Sequence, residues 1–301
     1  MTTVYCTEGG ARLDVFLADE TELTRSHIKR LIDTGKVFVG GEAATKAGRT
    51  VKTGDEVAFD DIEETEEVLK EDIPLDVLYE DDDVAVINKQ RGLVVHPGAG
   101  NRTGTLVNAL KFRYGDKLSS AYGAVRAGIV HRLDKDTTGL IVVARNDFSH
   151  AELSKQFAAR TVKKLYRAIV DGNFKDDSGT VENNIGRDKH NRLKMAVVPD
   201  GRHAATRYNV LERYKGNCYA EFELLTGRTH QIRVHCAYLG HPVSCDALYG
   251  GSMRLGAGGQ LLHSRSITFC HPRDGREMSF TAGEPKDFTA ALAALRGTSA
   301  I

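Results

Sequence analysis

Nowhere in the 301 residues do two cysteines stand at Cys-x-x-Cys spacing, and the five present, Cys6, Cys218, Cys236, Cys245 and Cys270, are an odd number. That pattern argues against a zinc cluster and against a disulfide framework, and fits a reducing cytoplasm best. No two histidines stand at His-x-x-x-His spacing either. His230 and His235 in "HQIRVH" fall on different faces of a helix, so no metal is expected. The glycine-bearing "HPGAGNRTGT" lacks the Gly-Lys-Ser/Thr ending of a phosphate loop. No run approaches the roughly 18 apolar residues of a membrane helix. The start "MTTVYCTEGGARLD" has no basic region followed by an apolar stretch, so neither a membrane partner nor a leader is expected. Internal repeats and low-complexity tracts are also missing.

Net charge is absent as well, with 41 basic against 41 acidic residues, but the balance is uneven along the chain. Thirteen acids and one base, Lys70, lie between Asp60 and Asp83, which leaves 40 bases against 28 acids elsewhere. Such a surplus suits a polyanionic partner, and the acidic segment suits a solvated linker. The length allows more than one domain. The 27% charged and 41% hydrophobic residues are those of a soluble globular protein.

Residues 10–60 read as a compact module of helix, helix and hairpin. Thr24 stands at a helix N-cap position, Ile28, Leu31 and Ile32 recur at helical spacing, and Gly35 marks the stop. Val37 and Val39 then alternate up to Gly40-Gly41, a hairpin turn, and "TGDEVAF" forms a second short strand. Arg25, Lys29, Arg30 and Lys36 are spaced so that several share one exposed face, as solvating charges or as a surface for a polyanionic partner. The acidic, proline-ended run over 61–73 reads as an exposed linker. From 74 to 301, "DVAVINK", "GLVVHP", "GLIVVAR", "KKLYRAIVDG", "AATRYNVLERY", "NCYAEFELLTG", "LLHSRSITF" and "REMSFTA" read as strands. Helices are expected at "DFSHAELSKQFAART", with Leu153, Phe157 and Ala158 on one face, at "THQIRVHCAYLG", and at "PKDFTAALAALR". Strands come in runs, which predicts an α+β fold with a mixed, largely antiparallel sheet.

"HRLDKDTTGL", His131 to Leu140, places two acids, an arginine and a lysine within five residues at the mouth of the apolar "IVVA". A loop entering a sheet can aim side chains into a cleft. Taken alone, Asp134 or Asp136 is as well explained by turn capping. "TGRTHQIRVH" adds Arg228, His230, Arg233 and His235 near a helix start, with Thr229 as candidate cap, where the dipole favours anions. If Arg233 or Arg228 lies beside Asp134, the carboxylate stays ionised at neutral pH and is a competent nucleophile. Tyr166 offers that cleft a ring and a hydroxyl, or is simply core.

In order, "HRLDKDTTGL", "KKLYRAIV", "TGRTHQIRVH", "GHPVSCDALYG" and "LLHSRSITFCHP" closely resemble the motifs of RluA-type pseudouridine synthases over about Asp76 to Pro272. "LVVHPGAG" looks most like the branch that modifies large-subunit ribosomal RNA, and the amino-terminal module is similar to the S-four RNA-binding domain. The resemblance implies an isomerase that cleaves the uracil–ribose bond, rotates the base and rejoins it through carbon 5. Asp134 would be the nucleophile, Tyr166 the ring stacked on the base, Arg233 the partner of the aspartate, and Arg132 the residue that fills the space of the flipped nucleotide. Arg228 and His230 are read as phosphate contacts or scaffold, with Arg25, Lys29 and Arg30 as RNA contacts of the small module. The rearrangement is redox-neutral, so no cofactor is expected. The implied partner is ribosomal RNA or the pre-ribosomal large subunit, with a cytoplasmic monomer as the default. A non-catalytic RNA-binding factor and a carboxylate-dependent hydrolase of sugars or nucleosides are the alternatives; the latter needs a second acid across the cleft.

Overall fold

A computed structural model describes residues 1–7, 9–21, 23, 25–60, 68–98, 100–121 and 123–298. The chain divides into two compact units, Met1–Thr65 and Glu66–Ile301.

The first unit contains β1 (Thr2–Tyr5), α1 (Leu13–Glu20), α2 (Arg25–Asp33), β2 (Val37–Val39), β3 (Glu42–Ala43) and β4 (Glu56–Phe59). Its antiparallel sheet has the order β1-β4-β2-β3. Leu13, Phe16 and Leu17 of α1 and Ile28, Leu31 and Ile32 of α2 share a core with Val37, Val39, Val57 and Phe59. The expected helical face and strand alternation are thus the buried ones. Gly40 and Gly41 have φ of 61° and 83°, the two left-handed positions that a tight type I′ hairpin demands. Thr24, expected as the cap of α2, lies outside the described residues.

The second unit contains β5 (Asp76–Glu80), β6 (Val84–Lys89), α3 (Leu106–Tyr114), β7 (Thr138–Ala144), α4 (Asp147–Ala159), β8 (Lys163–Asp171), β9 (Ser178–Arg187), β10 (Met195–Val197), β11 (Arg202–Tyr214), β12 (Asn217–Leu224), α5 (Gln231–Tyr238), β13 (Leu262–Cys270), β14 (Glu277–Thr281) and α6 (Lys286–Thr298). Its sheet runs β10-β9-β11-β12-β8-β13-β7-β6-β5, with β14 paired to β13. Among the described strands β7 and β13 pair in parallel and the other pairings are antiparallel, so the sheet is mixed and largely antiparallel. β7 is buried along its whole length because both faces are covered. Ile141 and Val143 join Ile87, Leu106 and Leu110 on one side, while Leu140 and Val142 meet Leu153 and Phe269 on the other. A doubly covered strand is an unbroken apolar run, which is how "GLIVVA" reads. Gly139 (φ 101°) lets β7 approach β13: a Cβ there would stand 2.3 Å from the Ser264 carbonyl oxygen.

Several expectations are corrected. "GLVVHP" is no strand; the carbonyls of Val94 and Val95 instead accept the N–H groups of Leu106 and Val107, satisfying the otherwise free start of α3. α3 itself, opened by a Thr105–Asn108 capping box, was not expected, nor were β9 and β10. In β9 only Val181 and Ile185 are buried, too few to stand out as alternation. Ala158 of α4 is exposed. Thr229 does not cap α5: His230 precedes it in the left-handed region (φ 57°), and the Gln231 side chain reaches back to accept the Arg228 N–H at 2.9 Å. Of the acidic run at 61–73, residues 61–67 lie outside the described residues. From Val68 onward the run packs on the second unit rather than standing free, with Val68 buried and the Glu71 N–H donated to the Asn108 carbonyl.

Candidate active site

The loop from His131 to Thr137 lines a cavity of about 590 Å³ with His131, Arg132, Leu133, Asp134 and Thr137. Cations pin its backbone from behind. Lys89, at the end of β6, is fully buried and donates from Nζ to the carbonyls of Gln90 (3.0 Å), Leu93 (2.9 Å) and Lys135 (2.9 Å). Burial pushes its pKa down to about 7, against the opposing pull of Asp136 and Asp134. Arg91 donates to the carbonyls of Asp136 (2.7 Å) and Gln260 (2.8 Å). His131 accepts the Val142 N–H at 2.9 Å and stacks on Phe157; burial lowers its pKa to about 3, so the ring is neutral scaffold. Thr137 donates its N–H to the Asp134 carbonyl and accepts from Gln260 Nε2 on Oγ1. The turn is therefore closed through main chain and Thr137, which leaves the Asp134 carboxylate available to the cavity.

Asp134 Oδ2 accepts from Arg233 Nη1 at 2.9 Å, and Oδ1 lies 3.7 Å from His230 Nε2. Arg233 is buried in α5 and grips Asp246 with both remaining nitrogens, Nε to Oδ2 at 2.6 Å and Nη2 to Oδ1 at 2.9 Å. Two parallel bonds of this kind fix the plane of a guanidinium, and so fix the direction in which Nη1 meets Asp134. Burial pushes the Arg233 pKa down, but the Asp246 hydrogen bonds and the charges of Asp134 and Asp246 outweigh it and hold the pKa up. Tyr166 lies in β8 between Phe222 of β12 and Ser264 of β13. It is 5% exposed and lines the cavity beside Leu262; burial raises its pKa, partly offset by a hydrogen bond with Ser264, so the phenol stays protonated.

The rim is basic. Arg132 is exposed there, with Arg160, Lys163, Arg202 and Arg228 around it. Burial and the charges of Arg202 and Arg160 lower the Arg228 pKa, a sign of crowded like charges, and Arg228 Nε donates to the His203 carbonyl. Among the described lining residues the only acid besides Asp134 is Glu223, which is ion-paired with Arg207. Asp134, Tyr166, Arg233, Arg132, Arg228 and His230, read from separate stretches of sequence, thus line one cavity. Arg25, Lys29 and Arg30 belong to the first unit. There Arg25 and Arg12 both bond Asp14, whose pKa falls to about 2 through those bonds. Lys29 pairs with Asp33 at 2.6 Å, and Arg30 approaches His27 at 3.5 Å. Sequence reasoning gave no role to Lys89, Arg91, Asp246 or Tyr249. A lysine ending the apolar alternation of "DVAVINK" and an acid inside "GHPVSCDALYG" were the available signals.

A family model described as RNA pseudouridylate synthase matches residues 83–238, just over half of the chain. The chain belongs to that family. It is therefore an isomerase acting on uridine in RNA. An S4 domain model matches residues 11–57. Ribosomal large subunit pseudouridine synthase D of Vibrio parahaemolyticus is 42% identical over 309 residues, covering 98% of this chain and 94% of that protein. Its counterpart of the same name from Xanthomonas campestris is 44% identical over 306 residues, covering 97% and 91%. An uncharacterized RNA pseudouridine synthase of Bacillus subtilis is 44% identical over 287 residues, covering 95% and 94%. Among solved structures, human RNA pseudouridylate synthase domain containing 1 superposes with a TM-score of 0.59 at 25% identity, covering 75% of this chain and 96% of that one. Among the described residues of the synthase, no helix is long and apolar enough to cross a membrane.

Proposed function

We propose that this synthase isomerises uridines of large-subunit ribosomal RNA, with Asp134 as the attacking carboxylate on a nucleotide turned out of its stack into the cavity. The observation that carries the reading is the Asp134 carboxylate, free of any turn-capping duty, held at 2.9 Å by an Arg233 whose own plane Asp246 fixes. The glycosidic bond of a stacked uridine is shielded, so extrusion at a cost of a few kcal/mol must precede chemistry. Tyr166 supplies a ring and Arg132 an exposed guanidinium, the two kinds of surface that replace lost stacking. During the reaction the C1′–N1 bond breaks, the C1′–C5 bond forms, and the C5 hydrogen is exchanged for one on N1. Nothing is oxidised or transferred to a second molecule. The ribosomal target is supported by the names of relatives that match nearly the whole chain.

In this reading residues 10–60 anchor structured RNA through Arg25, Lys29 and Arg30, while residues 74–301 take the target uridine and Arg228 and its basic neighbours hold flanking phosphates. A hydrolase would need a second free carboxylate across the cavity, and Glu223 is occupied by Arg207. Asp134→Asn is expected to abolish pseudouridine formation while leaving RNA binding intact; undiminished isomerisation sinks the assignment. Mapping pseudouridines in ribosomal and transfer RNA of cells with and without the protein tests the target, and loss confined to transfer RNA overturns it.

A further inference from the structure

Tyr249 has no part in the reaction as proposed, yet it touches most of the groups around Asp134. Its main-chain N–H points to Asp246 Oδ1 at 3.3 Å. The ring lies 4.9 Å from the Arg233 guanidinium carbon and meets the His230 ring edge-on, at 5.7 Å and 89°. The hydroxyl oxygen accepts the Met195 N–H at 2.9 Å, at the start of β10. Two acceptors compete for its proton: His230 Nδ1 at 2.8 Å and the Met195 carbonyl at 3.2 Å.

A hydroxyl has one proton to give. Which imidazole nitrogen carries hydrogen is set by the bond that the other nitrogen makes. Donation along the shorter contact leaves His230 Nδ1 bare, and a neutral ring then carries its hydrogen on Nε2. Burial lowers the His230 pKa, which keeps the ring neutral. Nε2 is the atom that faces Asp134 Oδ1 at 3.7 Å. In the other tautomer a ring lone pair would face a carboxylate lone pair, an unfavourable pairing with little solvent to relieve it, since both side chains are 17% exposed.

We propose that Tyr249 is a positioning residue: by donating its hydroxyl proton to His230 Nδ1, it fixes the tautomer that presents an N–H to Asp134. The carboxylate is then flanked by donors on both oxygens, Arg233 on Oδ2 and His230 on Oδ1. This rests on Asp134 being the reacting carboxylate. It also gives His230 a task that its position in "TGRTHQIRVH" does not disclose.

The test reads tautomer and rate in the full-length protein. Side-chain ¹⁵N NMR is expected to find wild-type His230 as the Nε2–H form, and Tyr249→Phe, which keeps the ring against Arg233, to give a mixture of tautomers. With an RNA substrate, Tyr249→Phe is expected to lower kcat about tenfold while KM moves less than about twofold. His230→Gln keeps an N–H where Nε2 stood and has no tautomers. In that background Tyr249→Phe is expected to cost less than about twofold in kcat. An Nδ1–H form in the wild type, an unchanged kcat in Tyr249→Phe, or the same loss in both backgrounds overturns the proposal. Activity surviving in Asp134→Asn would instead refute the role of Asp134, and the NMR readout of His230 does not depend on it.

Discussion

Lys89→Met changes how stability depends on pH, in a direction that the surroundings of the amine dictate. In the unfolded chain the amine stays protonated up to its ordinary 10.5; folded, burial lowers that value to about 7. Below about pH 7 both states hold the proton, and between there and 10.5 only the unfolded state does. Unfolding therefore takes up a proton in this window, and stability rises with pH. The slope approaches about 1.4 kcal/mol per pH unit, and the whole interval amounts to about 5 kcal/mol. The Met variant lacks this dependence, while other titrating groups contribute alike to both proteins and cancel in the difference. Urea unfolding of both at pH values from about 7 to about 9 is expected to show the wild type gaining on the variant by about 1 kcal/mol or more per unit. A difference that stays flat over that range refutes the reasoning. It would mean that the carbonyls of Gln90, Leu93 and Lys135 keep Lys89 charged despite its burial.

Asp246→Asn replaces the charged partner of Arg233 Nε and Nη2 by a neutral one and leaves Asp134 as the carboxylate facing that buried guanidinium; it is expected to cost about 3 kcal/mol of stability and to slow single-turnover isomerisation, and stability within about 1 kcal/mol of wild type contradicts the pairing. Gly139→Ala forces a Cβ against the Ser264 carbonyl in a backbone region foreign to L side chains. A loss of at least about 3 kcal/mol is expected, read by thermal unfolding, and a near-neutral effect would mean that β7 and β13 separate without penalty. Arg228→Ala, Arg160→Ala and Arg202→Ala should each weaken RNA binding and lower the slope of log affinity against log salt by just under about one. An unchanged slope removes that residue from the RNA interface.

Local periodicity was enough where one face of an element is apolar and the other is not. Ile28, Leu31 and Ile32, or Val37 and Val39, reveal their buried face without reference to anything distant. It was enough for β7 too, since a strand covered on both faces cannot hide its apolar run. It failed where burial is sparse, as in β9, and where the partners of a segment lie elsewhere. "LVVHP" has the residues of a strand, but its carbonyls are spent on the N-terminus of α3.

At the candidate site, sequence alone put the reactive residue types on the page: an acid in the loop before an apolar strand, an arginine cluster, and a strand tyrosine. It also determined the family, through motifs whose order and spacing are highly specific. Only the tertiary structure decided how those groups are aimed. Asp134 and Arg233 are 99 residues apart and meet at 2.9 Å because the loop before β7 and the first turn of α5 border the same cavity. Asp246, Tyr249 and Lys89 take their roles from directed contacts across the fold, with no periodic signal to announce them. Hydrophobic burial is non-directional and repeats with the backbone, so it leaves a pattern along the chain. Hydrogen bonds and ion pairs depend on the meeting of particular atoms, and that meeting exists only once the chain has folded.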